Sequence, residues 1–369
     1  MRPDGLIAEY YLARIVRWQA TLDKLDAAAS DRLHAALERA QSTIREKLHA
    51  EAAGLAKVGA WTKDRLATTS AWLDGMLEAE KMAMGAVVTE AGMVAAQESL
   101  TEYSAMLSLN GRALGVLPVE MSPEQLRAWF QQTPMGSADI SKLVGTVLQD
   151  GITGHVLAAL ETGALQGLGT AAAVRSVLGT ALDAGFEVSK RDAITLARTY
   201  IQTANVNAMM EVYRANSDIV EQWQWCATLE RAYASTGRGT CLRCAALDGK
   251  KFKLGAGPPI PLHPRCRCAA IPVLVSWRSL GIDLDEIEDV ARPYMVAEDK
   301  NIDAGGRRKT LSVGFHSGDY ASWLAQQSES VQMATMGPSR FALYKAGRIS
   351  LGQMVNARGD IVRLEHLGA

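Results

Sequence analysis

The chain has 369 residues, 48% of them hydrophobic and only 6% aromatic, enough for two or three domains with cores of their own. Its 39 basic and 40 acidic residues nearly cancel, which excludes a global electrostatic pull toward nucleic acid but would hide a local basic patch. No apolar run reaches the roughly eighteen residues a membrane span needs, and scarce aromatics beside abundant Ala and Met in the first half argue for long helices rather than a strand-rich sandwich.

The opening Met1-Arg2-Pro3-Asp4-Gly5 shows no basic-then-apolar leader. The expectation is synthesis in a reducing cytosol, where clustered cysteines favour metal over disulfides. From Leu6 to Leu109 the pattern predicts helix almost throughout. Tyr11, Ile15, Trp18, Leu22 and Leu25 recur at three and four residues, and Leu33, Leu37, Ile44 and Leu48 continue the stripe. A second set follows from Trp61 to Leu77, then a stretch of small residues and methionines around Met82, Met84, Gly85, Gly92 and Met93 that permits close helix packing. So long a periodic region predicts an elongated arm.

Asn110-Gly111 and Pro118 break the pattern. Ser122-Pro123-Glu124-Gln125 then predicts a helix start, with Ser122 and Gln125 as a capping box and Pro123 in the first turn. Between Ser137 and Ser189, glycines at 151, 154, 163, 167, 169, 179 and 185 predict several short helices. Gly167-Leu168-Gly169 has neither a preceding strand nor a following Lys-Ser/Thr, so it is a helix junction and not a phosphate loop. Ser189 is expected to cap a helix running from Lys190 towards Asn216, with Arg198, Gln202, Asn205 and Asn207 either solvated or touching a neighbouring segment.

Past Asp218 the pattern changes. Ile219 to Trp225 is aromatic and β-branched, a predicted strand, and Ile271 to Val275 could pair with it. In the tail, Gly305 to Lys309 reads as an exposed loop and Ser322-Trp323-Leu324 as a helix start. Gly337-Pro338 punctuates that helix, and Val355, Ile361, Val362 and Leu364 are the expected apolar anchors of the end.

Four of the five cysteines and one histidine fall between the two strands, as Cys241-x2-Cys244 and His263-x2-Cys266-x-Cys268. Thiolates and imidazole at these spacings suit a tetrahedral zinc ion. Four seats face five donors: Cys241, Cys244, His263 and Cys266 are the preferred set, with Cys268 competing for the last. A metal-free disulfide pair or unbridged buried cysteines are the alternatives. Prolines 258, 259, 261 and 264 hold the second knuckle extended, Asp248-Gly249 signals a turn, and Cys226 reads as a small core residue. Four protein ligands leave no open coordination position, which favours structure over catalysis. The deaminase pattern is absent as well, since Pro264 and Arg265 follow the histidine where that pattern needs a glutamate. Arg231, Arg238, Arg243, Lys250, Lys251, Lys253, Arg265 and Arg267 surround the cluster against one acid, Asp248, and could meet phosphates, neutralise thiolates or dock an acidic surface.

Trp225, then Thr240-Cys241-x2-Cys244-x3-Asp248-Gly249, then Pro258-Pro259-x3-His263-Pro264-x-Cys266-Arg267-Cys268 resembles the minor head protein family of tailed bacteriophages, the Mu F-like or head morphogenesis proteins. The match covers Ser189 to Val275. A weaker one continues through Trp323-Leu324, Gln332, Gly337, Arg340, Gly347 and Leu351. The chain departs from the family pattern where Tyr200 follows Arg198-Thr199 in place of an acid, and where Gly237-Arg238-Gly239-Thr240 precedes the first cysteine.

The resemblance implies a virion protein without catalytic turnover, inside the capsid near the portal vertex and in host cytoplasm during assembly. Its partners would be the portal protein, a major capsid or scaffolding protein and double-stranded DNA, with no membrane during assembly. The competing readings are a zinc-dependent nuclease or toxin-associated processing module, for which His316 and Asp319 are base candidates, and a DNA-binding module. The expected fold is mainly α, with an elongated helical N-terminal arm and a small α+β zinc-knuckle module. Its regions are 1–115 (arm), 116–218 (helical domain), 219–276 (β-hairpin and zinc-knuckle) and 277–369 (mixed α+β).

Overall fold

Apolar residues at helical spacing produce three very long helices: α1 (Pro3–Ala56), α2 (Lys63–Gly111) and α6 (Ala171–Ala215). The computed structural model describes residues 3–56, 63–111, 119–132, 137–165, 171–230, 239–276, 278, 291–302 and 306–367. The chain divides into two compact units, one of residues 20–99 with 120–207, the other of 1–19, 100–119 and 208–369.

The first unit is helical. Leu22, Leu33, Leu37 and Ile44 of α1, Leu73, Leu77, Met84 and Val88 of α2, and Leu182, Phe186 and Ile201 of α6 are all buried, each contributing on the order of 2 kcal/mol. Polar pairs set the alignment. Asp26 accepts from Arg198, while Gln41, fifteen residues along α1, donates to Asp183 at 2.7 Å. One helix therefore ascends as the other descends. The buried Ser99 donates to Asn205 at 2.9 Å, so Arg198 and Asn205 of α6 touch neighbouring segments. Helix α3 (Pro123–Gln132) begins with the predicted capping box: Ser122 N donates to Gln125 Oε1 at 2.8 Å and Gln125 N to Ser122 Oγ at 3.2 Å.

The structure corrects two expectations here. Ser189 does not cap a helix; it lies inside α6, buried, and its hydroxyl donates to the Val147 carbonyl at 3.1 Å. Gly151 and Gly185 are not punctuation. Helix α4 (Ser137–Leu148) passes through a π-helical turn (Gln149–Thr153) directly into α5 (Gly154–Leu165). That turn meets α6 so closely that a Cβ on Gly185 would lie 2.5 Å from the Gly151 carbonyl oxygen and one on Gly151 would lie 2.1 Å from Ser189 Oγ. Two glycines let backbone touch backbone, a contact any side chain would block. Gly167 and Gly169 lie outside the described residues.

In the second unit, Arg14 donates twice to the Glu102 carboxylate, at 2.6 and 2.7 Å. Tyr103 meets Tyr213 edge-on, with ring centroids 6.1 Å apart, and the Tyr213 hydroxyl donates to the Ala270 carbonyl at 3.2 Å. That bond ties the end of α6 to a three-stranded antiparallel sheet of order β2-β1-β3, formed by β1 (Val220–Cys226), β2 (Lys251–Lys253) and β3 (Ala269–Leu274). Trp223 pairs with Pro272 and Trp225 with Ala270, so the predicted strand pairing stands despite the proline. Trp223 stacks on Phe252 at 4.8 Å and donates to the Ala256 carbonyl at 3.0 Å. Gly257 (φ +95°) passes over both rings, and a Cβ there would lie 2.7 Å from each.

A second sheet pairs β4 (Ala291–Ile302) with β5 (Gly306–Ser317). Of the stretch Gly305 to Lys309, expected as an exposed loop, residues 306–309 thus belong to a strand, with Lys309 opposite Asp299 in register, and Gly305 lies outside the described residues. Helices α8 (Tyr320–Ala325), α9 (Glu329–Met336) and α10 (Pro338–Lys345) follow. Of the expected C-terminal anchors, Val355 is buried, but Ile361 and Leu364 are 45% and 43% exposed. Leu351, Met354 and Leu367 fill the apolar role instead.

Candidate metal centre

The short helix α7 (Leu242–Leu247) presents the first knuckle. Cys241 is its N-cap residue, its carbonyl accepting from Ala245 N at 2.9 Å. Cys244 sits three residues further, on the same face of the turn. Backbone bonds from Gly249 N to the Trp225 carbonyl and from Trp225 N to the Lys250 carbonyl, both 2.9 Å, stitch the end of α7 to β1. The second knuckle reaches the same place from β3. Cys266 N closes a turn on the His263 carbonyl at 3.1 Å, with Arg265 left-handed at φ 62°, and Cys268 leads into the strand.

Five donors converge there as two triads that share Cys244: Cys241, Cys244 and His263, then Cys244, Cys266 and Cys268, with the ligand atoms of each triad within 4.8 Å of one another. His263 Nε2 is 3.3 Å from Cys241 Sγ and 3.2 Å from Cys244 Sγ, and Cys244 Sγ is 3.8 Å from Cys266 Sγ. Zinc–sulfur bonds of about 2.3 Å at tetrahedral angles set sulfur atoms about 3.8 Å apart. The cluster can therefore coordinate a metal ion. Nδ1 of His263 lies 2.8 Å from the Pro264 carbonyl; donating a proton there fixes the tautomer that turns the Nε2 lone pair toward the sulfurs.

The protons of the cluster follow its hydrogen bonds. Cys241 is lowered to about 4, chiefly by its bond with Cys244, which outweighs burial and is aided by His263. Cys266 is likewise lowered, by Cys244 and then Cys268. Cys244 is raised by Cys241, Cys266 and Cys268, with burial adding to the effect. For Cys268 the bond with Cys244 pulls down, and Cys266 together with burial pushes up harder. His263 is raised to about 10 by Cys241 and then Cys266, against burial. These opposed directions, the Cys241 sulfur down and the imidazole up, mark a site that favours positive charge among its ligand atoms. Cys226 ends β1 opposite Ala269 and belongs to neither triad.

Of the basic residues around the cluster, several are occupied within the chain. Arg243 donates through Nε to the Gly359 carbonyl and lies 3.8 Å from Asp360. Lys250 donates to the Gly352 carbonyl at 3.1 Å, and burial lowers its pKa. Arg267 pairs with Glu230. Lys251 and Lys253 are exposed on β2, which among the described residues pairs with β1 alone, and lysines on an edge strand deter edge-to-edge association. Arg265 is exposed, and Arg231 and Arg238 lie outside the described residues.

The base candidates carry structural bonds. His316 Nε2 is 2.9 Å from Ser322 Oγ, and Asp319 caps α8 by accepting from Ser322 N at 2.9 Å.

Residues of the signature that were given no ligand role hold the centre in place. Asp248, read as a turn residue, is buried; its Oδ1 accepts from Ala227 N at 2.7 Å and its Oδ2 from Tyr320 N at 2.6 Å. The Tyr320 hydroxyl donates to the Glu230 carbonyl at 2.9 Å, and Thr240, just before the first ligand, donates to the Thr228 carbonyl. In the sequence Asp248 shows as a turn residue and as part of the signature, and neither reading gives its two remote amide partners. No family model, curated protein or solved structure matches the chain.

Proposed function

We propose that this chain is a minor head protein of a tailed bacteriophage, acting near the portal in head assembly and genome packaging or delivery, and that its cysteine centre is a structural zinc site. The observation that carries the reading is the convergence of the whole spaced signature. Cys241, Cys244, His263, Cys266 and Cys268, separate in sequence, come together as two triads that share Cys244, and the Asp248 that accompanies them in the signature braces the same site.

Zinc fits the donor set, since soft thiolates with one imidazole select it over magnesium or calcium. Cys241, Cys244, His263 and Cys266 would hold the ion, with Cys268 behind them as a buried neighbour of Cys244. Bound there, zinc supplies cross-linking of the two knuckles, with its coordination filled by protein. The chain's own part is to present the ligands: α7 sets the first pair, the Pro264 carbonyl orients His263, and the sheet aligns the two halves. A protein of this kind works by shape and contact. Portal protein, with major capsid or scaffolding protein and packaged DNA beyond it, are the partners the resemblance supplies, and the long helices α1 and α2 offer the extended surface for such docking.

Two measurements test the reading. Metal analysis of the full chain should find one zinc per molecule. Expression of the full chain with the portal protein of the encoding phage should give a complex that survives gel filtration, and cryo-imaging of heads with and without the protein should place the difference density at the portal vertex. Stable heads lacking the protein at that vertex, or no portal complex, would remove the assignment.

A further inference from the structure

The segment 349–367 contributes no metal ligand, yet both knuckles hold it. Arg243, inside the Cys241–Cys244 knuckle, donates to the Gly359 carbonyl and approaches Asp360 at 3.8 Å. On the other side, Leu262 precedes His263 directly. A Cβ on Gly359 (φ +83°) would lie 3.0 and 3.1 Å from the two Leu262 methyl carbons and 3.4 Å from Pro258. Gly359 is thus gripped between a residue of each ligand loop. Lys250 adds a bond to the Gly352 carbonyl at 3.1 Å, and Leu351 and Met354 are buried. The segment also has structure of its own: Asn356 accepts from Arg358 N and Asp360 N, both at 2.9 Å, and Val355 bridges Ile361.

We propose that metal occupancy and docking of the C-terminal segment 349–367 are thermodynamically linked, so that the ion latches the segment and the docked segment tightens the ion. The inference rests on the metal reading above. The receptor for Gly359 exists only while the 241–244 and 258–263 loops are drawn together, and the ligands that draw them are Cys241 and Cys244 on one loop and His263 on the other. Loss of the ion lets the loops part and opens the grip. Linkage then requires the converse: anything that dislodges Gly359 weakens metal binding by the same factor that the metal contributes to docking. The chain thus carries a metal-gated C-terminal latch.

The test uses the full chain. Hydrogen exchange of the Asn356 and Val362 amides, which donate within the segment to Asp360 and Met354, is followed before and after zinc is removed with a chelator. Protection is expected to fall by at least about tenfold, within the range typical of coupled sites. In the second arm Gly359→Ala, which touches no ligand, is titrated for zinc against a chromophoric competitor. Its affinity is expected to fall by a similar factor, whereas Gly352→Ala, whose Cβ would meet only Lys250 at 3.9 Å, should bind as the parent does. Unchanged zinc affinity in Gly359→Ala overturns the linkage even if metal removal unfolds the wider module, and unchanged protection after removal of a stoichiometric ion overturns it while leaving the zinc reading intact. A parent chain that binds no zinc defeats both.

Discussion

The Oδ2 atom of Asp248 accepts the backbone N–H of Tyr320 at 2.6 Å. Its other oxygen takes the N–H of Ala227 at the end of β1, so one buried carboxylate joins the exit of the central strand, the end of α7 and the start of α8. Both donors lose their acceptor in Asp248→Ala, and an unsatisfied buried amide costs about 1–3 kcal/mol. The variant should be destabilised by roughly 3 kcal/mol, measured by denaturant titration. Asp248→Asn keeps one good acceptor and should fall between it and the parent. An Asp248→Ala midpoint equal to that of the parent would show that the carboxylate braces nothing.

The two triads make unequal demands on their members. Cys266 Sγ lies 3.8 Å from Cys244 Sγ, the separation of two thiolates on one zinc ion, and Cys268 completes the triad of these two. Cys266→Ser should therefore lose zinc affinity by more than the roughly 10–100-fold typical of outer-shell changes, and Cys268→Ser by less. Cobalt substitution reads this directly, since the sulfur-to-cobalt charge-transfer band should lose one thiolate's intensity in the Cys266 variant and keep it in the Cys268 variant. The reverse pattern would make Cys268 the fourth ligand.

Glycines in the same helix are expected to respond with opposite signs. At Gly185 a Cβ would meet the Gly151 carbonyl at 2.5 Å and the Ile152 Cα at 3.0 Å, both backbone atoms that cannot turn aside, while at Gly179 nothing lies within 4 Å. Gly185→Ala should cost about 1–3 kcal/mol through overpacking, and Gly179→Ala should gain about 0.5–1 kcal/mol from helix propensity. Thermal unfolding of the two variants side by side separates close packing from propensity. A stabilised Gly185→Ala would mean that the two helices do not touch there.

Asp26 is 5% exposed and is held by Arg198, whose side chain is 40% exposed. Removing the arginine leaves a buried carboxylate without its counter-charge, a change that costs about 3–5 kcal/mol in a fully enclosed pair. Solvent at Arg198 reduces that figure, so Arg198→Met should cost about 1–2 kcal/mol. Asp26→Asn, which removes the charge that needs a partner, should cost less than Arg198→Met in the same denaturant experiment. Equal costs would argue that the pair acts through packing alone.

Local chemistry was legible wherever it depended on near neighbours in the chain. Ser122 and Gln125 stand three residues apart and cap each other's amides, so the start of α3 could be read from four letters. Ile219 to Trp225 and Ile271 to Val275 showed their strand character through β-branched and aromatic content, and the two cysteine knuckles announced a metal-binding cluster by spacing. What failed was inference from residue type without knowledge of the opposing surface. Serine before a helical pattern suggests a cap, yet Ser189 donates to Val147 from another helix. Glycine suggests a break, yet Gly185 is needed because Gly151 arrives within van der Waals range.

Two knuckles and an adjacent strand pair follow from residue order alone, because ligand spacing and strand alternation are written in short range. The sharing of Cys244 between the triads, the occupation of Arg243, Lys250 and Arg267 within the chain, and the two remote amides on Asp248 arise only on folding. Those outcomes depend on which segments approach across long separations. Approach is set by the summed packing of whole helices and sheets, and no local pattern encodes it.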